Sequence, residues 1–412
     1  MSTRPFRFIH ASDFHLEQPL MGVAEVPDHL RELFLDAPYR AAVKLFAAVE
    51  AEDAQFVILS GDLLHPLGAG PRGTLFLLDR FRRLAEHGIG VYWAGGVVDP
   101  PDAWPAALTL PQNIHVFPQG RVEELTIQRD GEPLAHLAGT SRDRERPLRP
   151  ADFSADPAGL YSIAVAHGEV DAAALQTRGI HYWALGGRHE RSTLQGGPQT
   201  VHYCGSPQGR RPDESGVHGC TLVQVDAAGQ TRTSLIATDA GRWTSERITI
   251  DETTSREELE MRLRDRLHAL VEASPAMDLL ISWTVAGHGA LLGQLRKGAL
   301  AAQLLQWLRN DFGYGSPAAW SVSLCVEMPE TLPPEWYEQE TIRGDFLRAI
   351  RQLQMNADEP LALDSYLAEA HLAGTLAAAA AAAVAGKPAR DRVLREAAAL
   401  GADLLSGEEP DA

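Results

Sequence analysis

FRFIHASDFHL, the stretch from residue 6 to residue 16, joins an apolar run to two side chains that can bind a metal ion. Phe8 and Ile9 predict a buried β-strand, and Asp13 and His15 follow it with one residue between them. On an extended strand, residues i and i+2 point to the same side. The spacing therefore predicts that a carboxylate oxygen and an imidazole nitrogen reach one ion from the end of this strand.

Three further predicted strands lead into residues of the same kind. QFVILSGD ends in Asp62, SIAVAHG carries His167 before its glycine, and YWALGGRH ends in His189. Open α/β sheets build their sites at the carboxyl ends of strands. A single histidine is more often a structural hydrogen-bonding group than a ligand, but four such strand ends in one chain predict a shared metal site.

The first half of the chain, to about residue 225, alternates short apolar strands with amphipathic helices, which predicts an α/β domain. Helices are predicted at residues 36–52 and 74–87, the second preceded by a breaker-rich loop at 66–73. The predicted strands span residues 6–10, 55–60, 89–94, 114–117, 134–139, 161–166, 181–185 and 220–225.

The second half has a different pattern. A charged helix is predicted at residues 251–273, followed by two strands, 279–285 and 320–326, that flank a helix near 290–309. This order predicts a small α+β unit. The remaining residues are helical in composition. We therefore predict three parts of the chain: residues 1–245, 246–330 and 331–412.

The composition limits the function. The 412 residues include 55 acidic and 37 basic side chains, for a net charge of −18. Because Lys and Arg supply most non-specific affinity for nucleic acids, this balance disfavours unaided binding of a long polyanion. The arginines of residues 142–149 and 210–211 are interpreted as solvated loop charges. Three cysteines at no zinc spacing, and the lack of a signal-peptide or membrane-spanning pattern, predict a cytoplasmic protein that does not enter a membrane.

The motif order resembles that of the calcineurin-like metallophosphoesterases. FIHASDFHL, FVILSGD, YWALG and the later YCGSPQGRR, which starts at residue 203, are similar to the DNA repair exonuclease branch of the SbcD and YhaO type. The resemblance covers residues 5 to about 226. It implies a four-layer α/β sandwich, with two mixed β-sheets flanked by helices, followed by a small α+β cap domain and a helical C-terminus.

The resemblance also implies a two-metal site with a bridging carboxylate. Asp62 would bridge, and His167 would belong to the second metal, so these two residues are the expected catalytic pair. The expected ion is manganese, with iron or zinc as alternatives. The implied ligands of the first metal are Asp13, His15, Asp62 and His189.

The sequence departs from the family pattern at the second metal. Gly96 and Val97 stand where the family has a metal-binding Asn and a catalytic His, and Gly187 stands where it has the first His of a Gly-His-x-His turn. We therefore expect one tightly held ion and a weak second site. Asp99 as a substitute ligand and Arg188 as a cationic clamp are the two compensations considered.

Three functions remain open. The first is a phosphodiesterase of the DNA repair exonuclease type, in which a metal-activated water attacks the phosphodiester. The second is a catalytically inactive subunit that binds an SMC-like ATPase or DNA, and the third is a small-molecule phosphoesterase. The resemblance implies DNA and a coiled-coil ATPase as partners and allows a homodimer. The proposed ATPase contact is the apolar face formed by Phe346, Ile350, Leu353, Leu361 and Leu363.

Overall fold

The computed structural model describes residues 4–287, 289–327, 331–356, 361 and 387–405. The strands in these residues are β1 (Phe6–Ala11), β2 (Phe56–Leu59), β3 (Gly90–Trp93), β4 (Ile114–Val116), β5 (Glu123–Arg129), β6 (Glu132–Gly139), β7 (Ser162–His167), β8 (Tyr182–Gly186), β9 (Ser192–Gln195), β10 (Thr200–Tyr203), β11 (Gly219–Val225), β12 (Thr231–Ala237), β13 (Gly241–Ile250), β14 (Asp278–Gly287) and β15 (Ala319–Val326). The α-helices are α1 (Arg31–Ala51), α2 (Pro66–Glu86), α3 (Ala172–Gln176), α4 (Arg256–Ala273), α5 (Ala290–Arg296), α6 (Ala299–Phe312), α7 (Pro334–Glu338), α8 (Ile342–Met355) and α9 (Lys387–Leu405).

Two six-stranded mixed sheets form the first part of the chain. The first sheet has the order β12-β11-β1-β2-β3-β4, with β1 to β4 parallel and β11 antiparallel to β1. The second has the order β5-β6-β7-β8-β10-β9, with β6, β7, β8 and β10 parallel. Parallel strands end at the same edge of their sheet, so β1 and β2 deliver their loops together, and so do β7 and β8.

The two sheets share an apolar core rich in aromatic side chains. Phe8 stacks on Phe56 with ring centroids 4.8 Å apart. It also meets the edge of Tyr182 at 5.4 Å, which connects β1 of the first sheet to β8 of the second. The buried His10 links the same layers, because its Nδ1 lies 2.9 Å from the Tyr182 hydroxyl and its Nε2 lies 2.8 Å from Ser60 Oγ. These contacts fix the spacing between the two strand edges.

Helices cover the outer faces of both sheets. On the first sheet, Leu45 and Phe46 of α1 and Leu77 of α2 pack in one buried cluster with Ile9 and Val57. On the second sheet, Leu175 of α3 belongs to a buried cluster with strand residues of β7, β8 and β10. The predicted α/β arrangement of two mixed sheets flanked by helices is therefore confirmed.

The sequence pattern located ten strands correctly but missed β5, β9, β10, β12 and β13. The missed β5, β9 and β12 lie at sheet edges, where half-exposed polar residues hide the apolar alternation. The predicted loop at 66–73 is wrong. Helix α2 begins at Pro66, where the His65 side chain accepts a hydrogen bond from Gly68 N at 3.0 Å. The glycine-proline pair kinks the helix, with Gly70 at φ 60°.

The chain divides into two compact units. The described residues of the first unit lie within Met1–Ser245, Ala273–Ile281 and Phe312–Trp320, and those of the second lie within Glu246–Glu272, Ser282–Asp311 and Ser321–Ala412. Strands β13, β14 and β15 form a third sheet. The predicted helix near 290–309 is two helices, because Gly298 at φ 90° separates α5 from α6.

The C-terminal helices α8 and α9 pack against each other. Leu347 is buried with Ala398 and Ala402 of α9, and Phe346 and Ile350 pack against this cluster. These two residues of the predicted ATPase-contact face are therefore partly covered by the chain's own helices. Leu363 lies outside the described residues. Within the described residues, the helices lack the combined length and apolarity that crossing a membrane requires.

Replacing Phe8 with alanine should lower the free energy of unfolding by about 3–5 kcal/mol, because it leaves a cavity between the two sheets. Urea denaturation followed by circular dichroism would measure the loss. Leu75→Ala is the matched control, since Leu75 is 51% exposed on α2 and its loss should stay within about 0.5 kcal/mol. Equal effects of the two substitutions would contradict this account of the core.

Candidate metal centre

Five buried or half-buried side chains meet where β1, β2, β7 and β8 end. Ligand-type atoms of Asp13, His15 and His189 lie within 4.8 Å of one another, and so do those of Asp13, Asp62 and His167. The structure thus brings together all five residues that the sequence nominated. Asp13 belongs to both groups, so its carboxylate lies between them. The assignment of Asp62 as the bridging ligand remains a prediction.

The backbone reaches this arrangement in a way the strand spacing did not predict. Strand β1 ends at Ala11, and both Asp13 and His15 lie beyond it in the left-handed region, at φ 57° and 45°. Asp62 adopts the same conformation at φ 57°. Such backbone costs about 1–3 kcal/mol per residue. The side chains of Asp13 and His15 therefore converge because the loop turns. The sequence prediction attributed their convergence to an extended strand, and that explanation is wrong.

Hydrogen bonds between the two loops hold these conformations. Asp13 N donates to Gly61 O at 2.9 Å, and His15 N donates to Asp62 O at 3.1 Å. Leu16 N continues the pairing to the carbonyl oxygen of Leu63 at 3.1 Å. The loop after β1 and the loop after β2 therefore fold as one unit, and neither carboxylate can move without the other loop.

Each carboxylate is anchored through one oxygen. Gly187 N donates to Asp13 Oδ2 at 3.0 Å, and Val98 N donates to Asp62 Oδ1 at 2.9 Å. Asp62 Oδ2 lies 3.3 Å from His167 Nε2 and 3.8 Å from His15 Nε2. Asp13 Oδ1 is thus left without a partner among the described residues, whereas Asp62 Oδ2 faces the imidazole of His167.

The three imidazoles are oriented alike. Each uses Nδ1 to contact an oxygen, and such outer partners are what orient metal-binding histidines. Nε2 of His15 has no partner among the described residues, whereas Nε2 of His167 faces Asp62 and Nε2 of His189 lies 3.1 Å from Arg210 Nη2. The Nδ1 partners are Ser60 O for His167 at 2.8 Å, Glu214 Oε1 for His189 at 2.7 Å and Glu17 Oε1 for His15 at 3.4 Å.

Opposite charges meet in the pair formed by His167 and Asp62. Burial lowers the pKa of His167, but the hydrogen bond and negative charge of Asp62 outweigh it and raise that pKa to about 9. Burial raises the pKa of Asp62, yet the hydrogen bond and charge of His167 hold it well below its usual range. Asp62 is therefore ionised at neutral pH, as a cation-binding carboxylate must be.

Two buried atoms of the centre lack hydrogen-bond partners among the described residues. They are Asp13 Oδ1 and His15 Nε2. A buried carboxylate oxygen or ring nitrogen without a partner costs about 1–3 kcal/mol. A divalent cation would supply the missing partner for both. Two carboxylates and three imidazoles fit manganese, iron or zinc, so the residues present suit the ion that the sequence predicted.

Glu214 and Arg210 support the centre, and the sequence had placed neither among the site residues. Glu214 contacts His189 through Oε1 and accepts a hydrogen bond from Arg210 N through Oε2 at 2.7 Å. Burial raises the pKa of Glu214, but the bond to His189 and the nearby Arg210 lower it to about 2. Arg210 is 2% exposed, and its Nη2 lies 3.1 Å from His189 Nε2. The QGRRPDE segment was the available sequence signal for both.

The chain is similar to a protein of Bacillus subtilis (strain 168) described as the uncharacterized metallophosphoesterase YhaO, at 28% identity over 232 residues. This match supports the metallophosphoesterase superfamily. It covers 53% of this chain and 57% of the relative, so little more than half of that protein's length is matched. No family model matches the chain.

Two solved structures of vacuolar sorting proteins also align with part of the chain. Vps29 from Entamoeba histolytica complexed with Zn²⁺ has 14% identity and a TM-score of 0.26, and the alignment covers 57% of this chain and 100% of Vps29. Vacuolar protein sorting 29 from Cryptosporidium parvum has 12% identity and a TM-score of 0.25, covering 56% and 97%. These scores are too low to carry an argument about this protein.

At Gly96 and Gly187, where the sequence differs from the metallophosphoesterase pattern, the backbone itself lies close to the candidate ligands. A Cβ on Gly96 would lie 2.3 Å from Asp62 Oδ1. A Cβ on Gly187, at φ 97°, would lie 3.1 Å from His167 Nε2. The N–H groups of Val98 and Gly187 donate to the two carboxylates here. The turns therefore approach too closely to hold larger side chains, and their N–H dipoles offset part of the negative charge.

Asp99 and Arg188 were the two residues considered as substitutes at the second metal site, and neither side chain points at the centre. Asp99 is buried, and its oxygens accept hydrogen bonds from the N–H groups of Asp62, Leu63 and Gly96 at 2.6–2.9 Å. Trp93 Nε1 adds a fourth at 3.2 Å. The guanidinium of Arg188 lies over the Tyr203 ring, 4.5 Å from its centroid, and Nη2 is 3.9 Å from Glu169. Asp99 therefore has a structural role, and Arg188 is engaged by Tyr203.

Asp99→Asn should lower the free energy of unfolding by about 2–4 kcal/mol. The NH₂ group of the new amide would face backbone N–H groups whose hydrogen bonds the carboxylate now accepts. Urea denaturation would measure the change, and the same variant should bind Mn²⁺ more weakly because Asp99 accepts a hydrogen bond from the backbone N–H of Asp62. Asp102→Asn, at an exposed position three residues away, is the control. Wild-type stability of Asp99→Asn would refute the structural role.

Glu214→Gln should weaken the affinity for a divalent metal roughly 10- to 100-fold, because an outer carboxylate orients the ligand histidine and raises its basicity. Calorimetric titration of the metal-free protein with Zn²⁺ and with Mn²⁺ would measure it. Glu190→Gln removes an equal charge from an exposed neighbour and should leave the affinity unchanged. If both variants bind metal as the wild type does, Glu214 does not orient a ligand.

Proposed function

We propose that this protein is a metal-dependent phosphoesterase whose centre is formed by Asp13, His15, Asp62, His167 and His189. The observation that carries the proposal is the convergence of these five side chains from four strand ends, with two buried ligand-type atoms unpaired among the described residues. The similarity to a metallophosphoesterase supports the same reaction class.

The chemistry of the site follows from its residues. A bound divalent ion would polarise a phosphoryl oxygen and lower the pKa of a water molecule to about 7. The carboxylates of Asp13 and Asp62 would hold the cation, and the backbone N–H groups of Gly187 and Val98 keep both carboxylates oriented. His167, whose Nε2 lies 3.3 Å from Asp62 Oδ2, would bind the cation as a neutral imidazole beside this carboxylate.

The leaving group lacks the acid that the family pattern provides. Val97 stands at that position, and its side chain cannot donate a proton. General acid catalysis contributes about 10²- to 10⁴-fold, so we propose a slow enzyme or one whose substrates have good leaving groups. Phosphodiesters of nucleic acid are the substrate class that the exonuclease resemblance implies, and we propose a DNA strand end as the natural substrate.

A second candidate function follows from the backbone closure at Gly96 and Gly187. A chain with space for one metal and without the acid histidine is suited to binding more than to catalysis. In this alternative the centre holds a structural ion, and the protein acts as a subunit that binds DNA or a coiled-coil ATPase. Helices α8 and α9 would then offer the contact, where Ile342 and Leu404 are 75% and 74% exposed.

Metal content and hydrolysis, measured on the same samples, separate these functions. We expect one tightly bound ion per chain after dialysis against dilute chelator, and Mn²⁺-dependent cleavage of single-stranded DNA and of bis-p-nitrophenyl phosphate. Asp62→Ala should lose both the ion and the cleavage, because it removes a central carboxylate. Asp79→Ala, at a half-exposed position on α2, should change neither.

Each of the other possible outcomes would refute one part of the proposal. One ion per chain with no cleavage above the Asp62→Ala background would refute the enzyme and favour the binding subunit. Cleavage of the small ester alone would refute a DNA strand end as substrate and favour the small-molecule phosphoesterase. Two ions per chain would contradict the closure of the second site by backbone.

A further inference from the structure

A cavity beside the candidate metal centre is lined by five arginines. Its volume is about 670 Å³, and His167 and Gly168 form part of its wall. Most of the remaining wall comes from the loop that follows β6. The arginines are Arg121, Arg142, Arg144, Arg146 and Arg149.

The loop that carries these arginines is fixed to the turn after β3. Gly95 N donates to Ser141 Oγ at 2.8 Å, and Arg142 N donates to Gly95 O at 2.8 Å. Arg144 Nη2 lies 3.4 Å from the carbonyl oxygen of Val97. The turn that lacks the family's Asn and His is thus the turn on which the arginine loop rests.

Arg142 reaches the edge of the metal centre. Its Nη1 lies 2.8 Å from the position that a Cβ on Gly168 would occupy, one residue beyond His167. The absence of a side chain at Gly168 gives the guanidinium this position. A group bound at the centre near His167 would therefore also lie close to Arg142.

The arginines are free to bind an external anion. Among the described residues none of the five forms an ion pair, although Asp143, Glu145, Asp152 and Glu169 line the same cavity. The guanidinium of Arg142 also makes no hydrogen bond within the described part of the chain. A planar guanidinium matches the oxygens of a phosphate with paired donors.

We propose that this arginine pocket binds a phosphate group of the substrate beside the metal centre, with Arg142 and Arg144 as the main contacts, and that it accepts a molecule about the size of a nucleotide. The volume is within the range of about 300–1,000 Å³ typical of small-molecule sites. The acidic residues in the wall and the net charge of −18 disfavour a long polyanion lying across it. This inference rests on the proposed phosphoesterase function and specifies its substrate.

The same chemistry could come from a free mononucleotide or from the terminal nucleotide of a DNA strand, and the experiment separates them. Calorimetry of the full chain after chelator treatment would use thymidine 5′-monophosphate and a short single-stranded oligothymidylate as probes. We expect Arg142→Gln combined with Arg144→Gln to weaken binding roughly 10- to 100-fold, the loss typical of charge-assisted hydrogen bonds. Arg82→Gln, at an exposed position on α2, should bind as the wild type does.

Binding of the mononucleotide, lost in the double variant, would support a small-molecule ligand. Binding of the oligonucleotide alone, lost in the same variant, would support a strand end. No binding of either probe to the wild type, or equal binding by the double variant, would overturn the proposal.

A kinetic measurement tests the arginine-pocket proposal separately from the proposed phosphoesterase function. In Mn²⁺-dependent hydrolysis, the double variant should raise KM about tenfold or more and change kcat less, because the arginines hold the phosphate equally in the ground state and the transition state. Hydrolysis with unchanged KM would overturn the pocket and leave the phosphoesterase intact. Binding that depends on both arginines without any hydrolysis would overturn the enzyme and leave the pocket as a nucleotide site.

Discussion

Two buried carboxylates held close together impose the main constraint on this fold. Ligand-type oxygens of Asp13 and Asp62 lie within 4.8 Å, where two unit charges of like sign repel by about 3.5 kcal/mol at an effective dielectric constant of about 20. The nearby backbone and imidazoles compensate for this repulsion. N–H groups of Gly187 and Val98 each donate to one carboxylate, and His167 brings a positive charge to Asp62.

A third buried carboxylate organises the loops around these two. Asp99 accepts hydrogen bonds from the backbone of the β2 loop and of its own turn. Burial and the charge of Asp62 raise the pKa of Asp99 to about 7, against the opposing effect of those N–H donors. The turn therefore keeps its shape without side chains that reach a metal. Asp99 therefore stabilises these loops, whereas the sequence analysis had considered it as a metal ligand.

In the proposed phosphoesterase, the metal ligands and the acid for the leaving group would act at different stages of the reaction. Ligands for one cation are complete, and their outer partners, Glu17, Glu214 and Ser60, are in place. Val97 stands at the position where the resemblance places that acid, and the backbone at Gly96 and Gly187 lies close to Asp62 and His167. The arginines that line the cavity beside His167 supply positive charge next to the centre.

The sequence by itself determined the α/β class, ten of the fifteen described strands and the five candidate ligands. Local patterns carry this information, because apolar runs followed by Asp, Gly and His mark strand ends wherever the chain places them. The tertiary structure alone determined the left-handed loop conformations, the roles of Asp99 and Glu214, and the arginine pocket. These features depend on hydrogen bonds and contacts between residues far apart in the chain, such as Asp62 with Asp99 and His189 with Glu214, and no local pattern encodes such distances.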